Sequence, residues 1–218
     1  MDLKQRITPG ELYKAAQSPS QWLIAAQRLV AAAEIILAKE NTKESVYLAA
    51  VGVASDQATN NAILSDEGVG RAEIIAEEPN YLPAQLLYAY ALENVLKGLV
   101  VVNRPAIASE NKIDGSIKTH DLIKLSKLAK YDIGFAEKKV LENLTRIATW
   151  AGRYPVDVSL EKYEDKHPIG LNPDSLLDWG SEHPLLRNIY AALSQKLLSK
   201  LGRPLEKYGT VVSFRPKT

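Results

Sequence analysis

A chain of 218 residues with 46% hydrophobic side chains can build one sizeable core, which excludes a disordered or fibrous protein. Its 27 Lys and Arg against 26 Asp and Glu leave a formal charge of +1, which excludes a uniformly basic nucleic-acid binder but leaves room for a local basic patch. There is no Cys, so disulfides, thiol nucleophiles and Cys-based metal centres are excluded; the three histidines (His120, His167, His183) lack metal-ligand spacing, and neither metal nor cofactor is expected.

Ser18-Pro19-Ser20-Gln21 has the form of a helix start, with Ser18 as cap and Pro19 in the first turn. The run that follows sets Leu23, Ala26, Leu29, Val30, Ala33, Ile36 and Leu37 on one broad face. Asn41-Thr42-Lys43-Glu44 reads as a second cap and box, opening a less regular helix through Val46, Leu48, Val51 and Val53. Gly52 weakens that helix, and Asn60-Asn61 are placed to end or bend it. Residues 41–80 carry seven acids and two bases, net −5, and read as a solvated face.

The most apolar helix is predicted over about 81–102, with Pro83 in its first turn and Asn103-Arg104-Pro105 as its stop. The apolar stretch 86–102 is interrupted by Glu93, Asn94 and Lys97 and reads as too short and too polar to span a bilayer, so no membrane association is expected. Residues 106–118 read as a loop. A helix over 120–130 repeats Leu122, Leu125 and Leu128, with Asp121 in its first turn and Lys124, Lys127 and Lys130 as a basic stripe opposite. The next, over 134–151, has Phe135, Val140, Leu141, Leu144, Ile147 and Ala148 as its apolar side and ends at Gly152-Arg153-Tyr154-Pro155. Residues 156–180 look irregular. A last helix starts near Pro184, follows its repeat from Leu185 to Leu201 and is closed by Gly202. The run 210–214 could pair as an edge strand, though nothing requires it, and the alternation of a sheet is otherwise almost absent.

The expected fold is therefore all-α, an up-and-down helical bundle with an additional C-terminal helix. Its parts are an N-terminal lead-in over 1–18, the bundle over 19–155, and an irregular segment plus C-terminal helix over 156–218 packing on the bundle. Residues 1–20 lack a basic start followed by an apolar run, so no secretory leader and a cytoplasmic location are expected.

Chemistry has few places to sit. Glu93 and Lys97 are four apart on the most apolar helix, in the favourable order, among neighbours that shelter them; they read as a structural ion pair. His120, at a helix start, can hydrogen-bond to a neighbouring helix or to Glu93, or act as a base near pH 7. His167 and His183 lie in polar, Pro-flanked surroundings and read as surface residues. Arg146 and Arg153 fall two turns apart on roughly one face, a weak phosphate site. No Gly-rich phosphate loop, HExxH or GxSxG motif is present.

Three stretches carry a family resemblance: Tyr88-Ala-Tyr-Ala-Leu-Glu93-Asn-Val-Leu-Lys97-Gly-Leu99, then Thr119-His120-Asp121-Leu122-Ile-Lys124-Leu125, then Leu144 with Trp150-Ala-Gly-Arg153-Tyr-Pro155. In this order they resemble the HEPN domain pattern over about 80–155. The resemblance implies a helical bundle, commonly dimeric, of the kind found in prokaryotic toxin–antitoxin, abortive-infection and nucleotidyltransferase-associated proteins. Glu93 and Lys97 match the long-helix signature, His120 the helix-start histidine and Arg153 the terminal arginine.

Many active HEPN members are metal-independent RNases that carry an arginine followed four to six residues later by histidine. Neither Arg146 nor Arg153 has such a histidine here; the next is His167. The resemblance thus implies a non-catalytic binding or interaction module, with Lys124, Lys127, Arg146 and Arg153 as ligand-binding residues. Its expected partners are a second copy or a small protein, and RNA or nucleotide. The alternative is a divergent RNase or nucleotide-handling enzyme, with His120 shuttling a proton and Arg153 stabilising developing phosphoryl charge.

Overall fold

The computed structural model describes residues 9–65, 70–108, 112–151 and 179–202. Among them the chain is all-helical: α1 (Pro9–Ala16), α2 (Pro19–Leu64), α3 (Leu82–Asn103), α4 (Leu122–Leu128), α5 (Phe135–Arg146) and α6 (Trp179–Lys200). Short 3-10 turns at Pro105–Ile107 and Gly115–Ile117 and one isolated bridge, Ala108 to Ile113, link α3 to α4. The Gly152–Pro155 stop, Arg153, His167, most of the irregular segment and the run 210–214 lie outside the described residues.

α3 is the centre of the bundle, with α2, α4, α5 and α6 packed around it. Tyr88, Leu92, Val95, Leu96 and Leu99 are fully enclosed, and the core is completed by Leu23 and Leu37 of α2, Leu122 and Leu125 of α4, Leu141 and Leu144 of α5, and Leu186, Ile189, Leu193 and Leu197 of α6. The 3.6-residue pattern anticipated these faces. The expectation that the α3 stretch is too short and polar for a bilayer needs correcting. By length and composition both Leu82–Asn103 and Pro19–Leu64 reach what a crossing requires; the apolar window of α3 is 72% buried in the bundle, that of α2 only 22%.

The expected break at Asn41–Glu44 does not occur, and α2 runs unbroken for 46 residues. Thr42 turns its hydroxyl back to the Lys39 carbonyl, 2.6 Å away, instead of capping a new helix. The turn before it is held helical by Glu40, which is buried and accepts from the Asn80 backbone N–H at 2.9 Å with Lys43 at 3.2 Å. Asn61 likewise does not end the helix; its side-chain amide donates to the Arg71 carbonyl at 3.0 Å, strapping residues 70–80 along α2. At the other end Ser18 and Pro19 stand where expected, but the Ser18 hydroxyl pairs with that of Ser20 rather than capping.

Smaller corrections follow the same logic. α1 was not foreseen in the lead-in. α4 starts two residues late because Asp121 is its cap, accepting from the Lys124 N–H at 2.8 Å, rather than a first-turn residue. Phe135 is 94% exposed. As the first residue of α5 it lies five positions before Val140, far round the helix from the face that Val140, Leu141 and Leu144 bury. α6 begins before Pro184, which sits within it, and Gly202 closes it at φ +62° as anticipated.

Candidate functional site

Glu93 is the one carboxylate of α3. One oxygen takes Lys97 Nζ at 2.5 Å, one turn on; the other meets His120 Nδ1 at 2.8 Å, across the loop that leads into α4. Glu93 and Lys97 are both buried, as the sequence pattern led one to expect, and Lys97 also stands 5.9 Å from the Trp22 ring centre. The His120 side chain is 39% exposed and its ring leans toward Tyr90. A carboxylate that fixes Nδ1 fixes the orientation of the imidazole, which suits either a structural pin or a positioned base.

A second, half-buried carboxylate cluster is not legible in the sequence. Glu34 of α2 accepts from Tyr88 of α3 and from Arg187 of α6, whose Nε lies at 2.9 Å, and stands 3.4 Å from His183 Nε2. His183 is therefore no surface residue; it is buried, edge-on to Tyr88. Burial works to raise the Glu34 carboxyl, but the contacts with His183, Arg187 and Tyr88 outweigh it and hold it at about 2. Burial first, then the Glu34 carboxylate, drives the Tyr88 hydroxyl well above the usual phenol range.

The expected ligand residues divide. Lys124 and Lys127 of α4 and Lys130, two residues past its end, are all exposed. Lys127 and Lys130 line a shallow groove between α4 and α5 with Tyr131, Asp132 and Lys138; Lys124 and Arg146 do not line it. Lys130 takes the left-handed conformation (φ 52°) where glycine is usual, in a helix close whose bonds run from Tyr131 N to Ser126 O and from Lys130 N to Lys127 O. Lys196 of α6 reaches over, donating to the Lys130 carbonyl at 3.0 Å and covering the Tyr131 ring at 5.2 Å. Arg146 ends α5, just before a π-helical turn at Ile147–Ala151. Its Nε and Nη2 are shut off from solvent and have no hydrogen-bond partner among the described residues. Arg153, the remaining expected residue, lies outside the described residues, so its convergence with His120 is not placed.

Among the described residues no group of His, Asp and Glu could hold a metal ion. No family model, no curated protein and no solved structure matches the chain. The HEPN resemblance therefore rests on the residues that carry it.

Proposed function

We propose that the protein is a non-catalytic helical binding module of HEPN type, which contacts RNA or nucleotide through the lysine face of α4 and works with a second copy or a small protein partner. The observation that carries this reading is a cluster of exposed lysines, Lys124 and Lys127 on α4 and Lys130 just past its end, the last two joined at the groove by Lys138 of α5. Exposed ammonium groups over a partly aromatic floor suit a phosphate backbone, which is recognised by charge more than by sequence. Glu93, the residue best placed for acid–base work, has both oxygens bound within the bundle. A toxin–antitoxin or other defence setting follows from the resemblance alone.

The enzymatic alternative keeps one specific support, the carboxylate-oriented imidazole of His120. Fluorescence anisotropy with a labelled single-stranded RNA tests the binding reading. Wild type is expected to bind with a salt dependence that falls by about two in log–log slope in the K124E/K127E/K130E variant, near 0.7 per lost phosphate contact. Absence of RNA and nucleotide binding by wild type would overturn it. RNA turnover by wild type that His120→Ala abolishes would favour the alternative.

A further inference from the structure

The half of α2 beyond Glu40 is a spur. Up to Leu37 the helix feeds the core, but from residue 41 to 64 only Ala54 is buried. One face of the spur is strapped by residues 70–80, held through Lys43–Glu77 at 2.6 Å and Asn61–Arg71. A different face stays open. Positions 35, 39, 42, 46, 49, 53, 56, 60 and 63 repeat at alternating spacings of four and three, the period of a two-helix seam, and every one is exposed. Ile35 is 73%, Val46 63%, Val53 59% and Ile63 76% exposed.

We propose that this face is a self-association seam, on which α2 of a second copy packs antiparallel. Charge decides both the occupant and the direction. The seam carries two charged residues, Lys39 and Asp56, on either side of an uncharged centre. A parallel pairing in register sets lysine against lysine and aspartate against aspartate. An antiparallel pairing about a two-fold axis passing between Tyr47 and Leu48 sets Val46 opposite Ala49, Thr42 opposite Val53, and Lys39 opposite Asp56 of the second copy, twice by symmetry. Ala49 at the centre lets the two backbones approach. The same register lays the spur of each copy along the open side of the other's core-bound half, which covers the exposed Ile35. The proposal rests on the second-copy part of the proposed function; the seam is separate from the lysine face of α4, so failure of RNA binding alone leaves it standing.

Sedimentation equilibrium of the full chain, from about 1 to about 100 µM, reads the outcome directly. Wild type should reach twice the 24.0 kDa chain mass. The V46E/V53E variant should stay at the chain mass with unchanged helical circular dichroism, since four carboxylates would meet at the seam. Lys39→Asp or Asp56→Lys alone should weaken the dimer about ten-fold, and the two together should restore it to within about three-fold of wild type. Three results would overturn the proposal: a wild type that is monomeric throughout, a dimer untouched by V46E/V53E, or a double charge exchange no better than the singles. A monomer that floats with lipid vesicles and loses this in V46E/V53E would assign the face to a membrane surface instead.

Discussion

Glu93, buried, and Glu34, half-buried, are two carboxylates in one bundle with side chains 10% and 14% exposed, and they do different work. Glu93 draws its partners from the next turn of its own helix and from the approach to α4. Glu34 draws Tyr88 from 54 positions away and Arg187 from 153, and so joins α2, α3 and α6 at one point. The first pins a helix start against α3; the second fastens the C-terminal helix to the bundle. Similar side-chain exposure thus conceals a local brace and a long-range clamp.

The largest effect should come from breaking the brace. Glu93→Ala leaves the Lys97 ammonium buried beside the Trp22 ring without its carboxylate, and a stranded buried charge costs about 3–5 kcal/mol. Urea unfolding at neutral pH measures this. A loss below about 1 kcal/mol would mean that the pair behaves as an exposed one.

The clamp should reveal itself through pH. The Glu34 carboxyl falls from its ordinary 4.5 to about 2 on folding, so its contribution is fully present above pH 4.5 and is lost as pH falls toward about 2. At 1.36 kcal/mol per pH unit that shift sets an upper bound of roughly 3 kcal/mol, which solvent screening of the half-buried cluster reduces. Glu34→Gln should lower stability at pH 7 and flatten the stability profile between about pH 4.5 and 2, because the neutral amide has no proton to gain there. A variant with the wild-type acid slope would place the acid sensitivity elsewhere. Hydrogen exchange should show α6 opening ahead of α3 and α4 in this variant, whereas Glu93→Ala should loosen the approach to α4 first.

The brace was legible in the sequence because its information is local. A Glu–Lys spacing of four within an apolar run marks both the helix and the pair, and a histidine before Asp-Leu marks the next helix start. The clamp was not legible. Arg187 and Glu34 carry no common period, and His183 beside Pro184 has the composition of a surface turn although α6 runs through both residues. The unbroken α2 escaped notice for a related reason: Asn41-Thr42-Lys43-Glu44 is a sound capping sequence, overridden by the Glu40–Asn80 bond that only the folded chain brings together. The lysine face of α4 could be read from its spacing. Its groove could not, since Lys138 and Lys196 come from other helices.

One residue past the brace, at Gly98, α3 meets both α2 and α6. A Cβ there would stand 2.9 Å from Leu197 Cδ2 of α6, 3.2 Å from Trp22 Cβ and 3.4 Å from the Pro19 carbonyl oxygen of α2. Gly98→Ala gains about 0.5–1 kcal/mol of helix preference but overpacks a junction of three helices, which costs about 1–3 kcal/mol, so a net loss of about 1–2 is expected. The Leu197 methyl can swing away only by disturbing the contacts that seat α6, while Trp22 Cβ and the Pro19 carbonyl belong to the start of α2 and yield less. A double-mutant cycle separates these. In a Leu197→Ala background Gly98→Ala should become neutral or stabilising if α6 bears the strain, and should remain costly if α2 does. The first result would tie this glycine to the seating of the C-terminal helix, the second to the packing of α2 beside the Lys97–Trp22 contact.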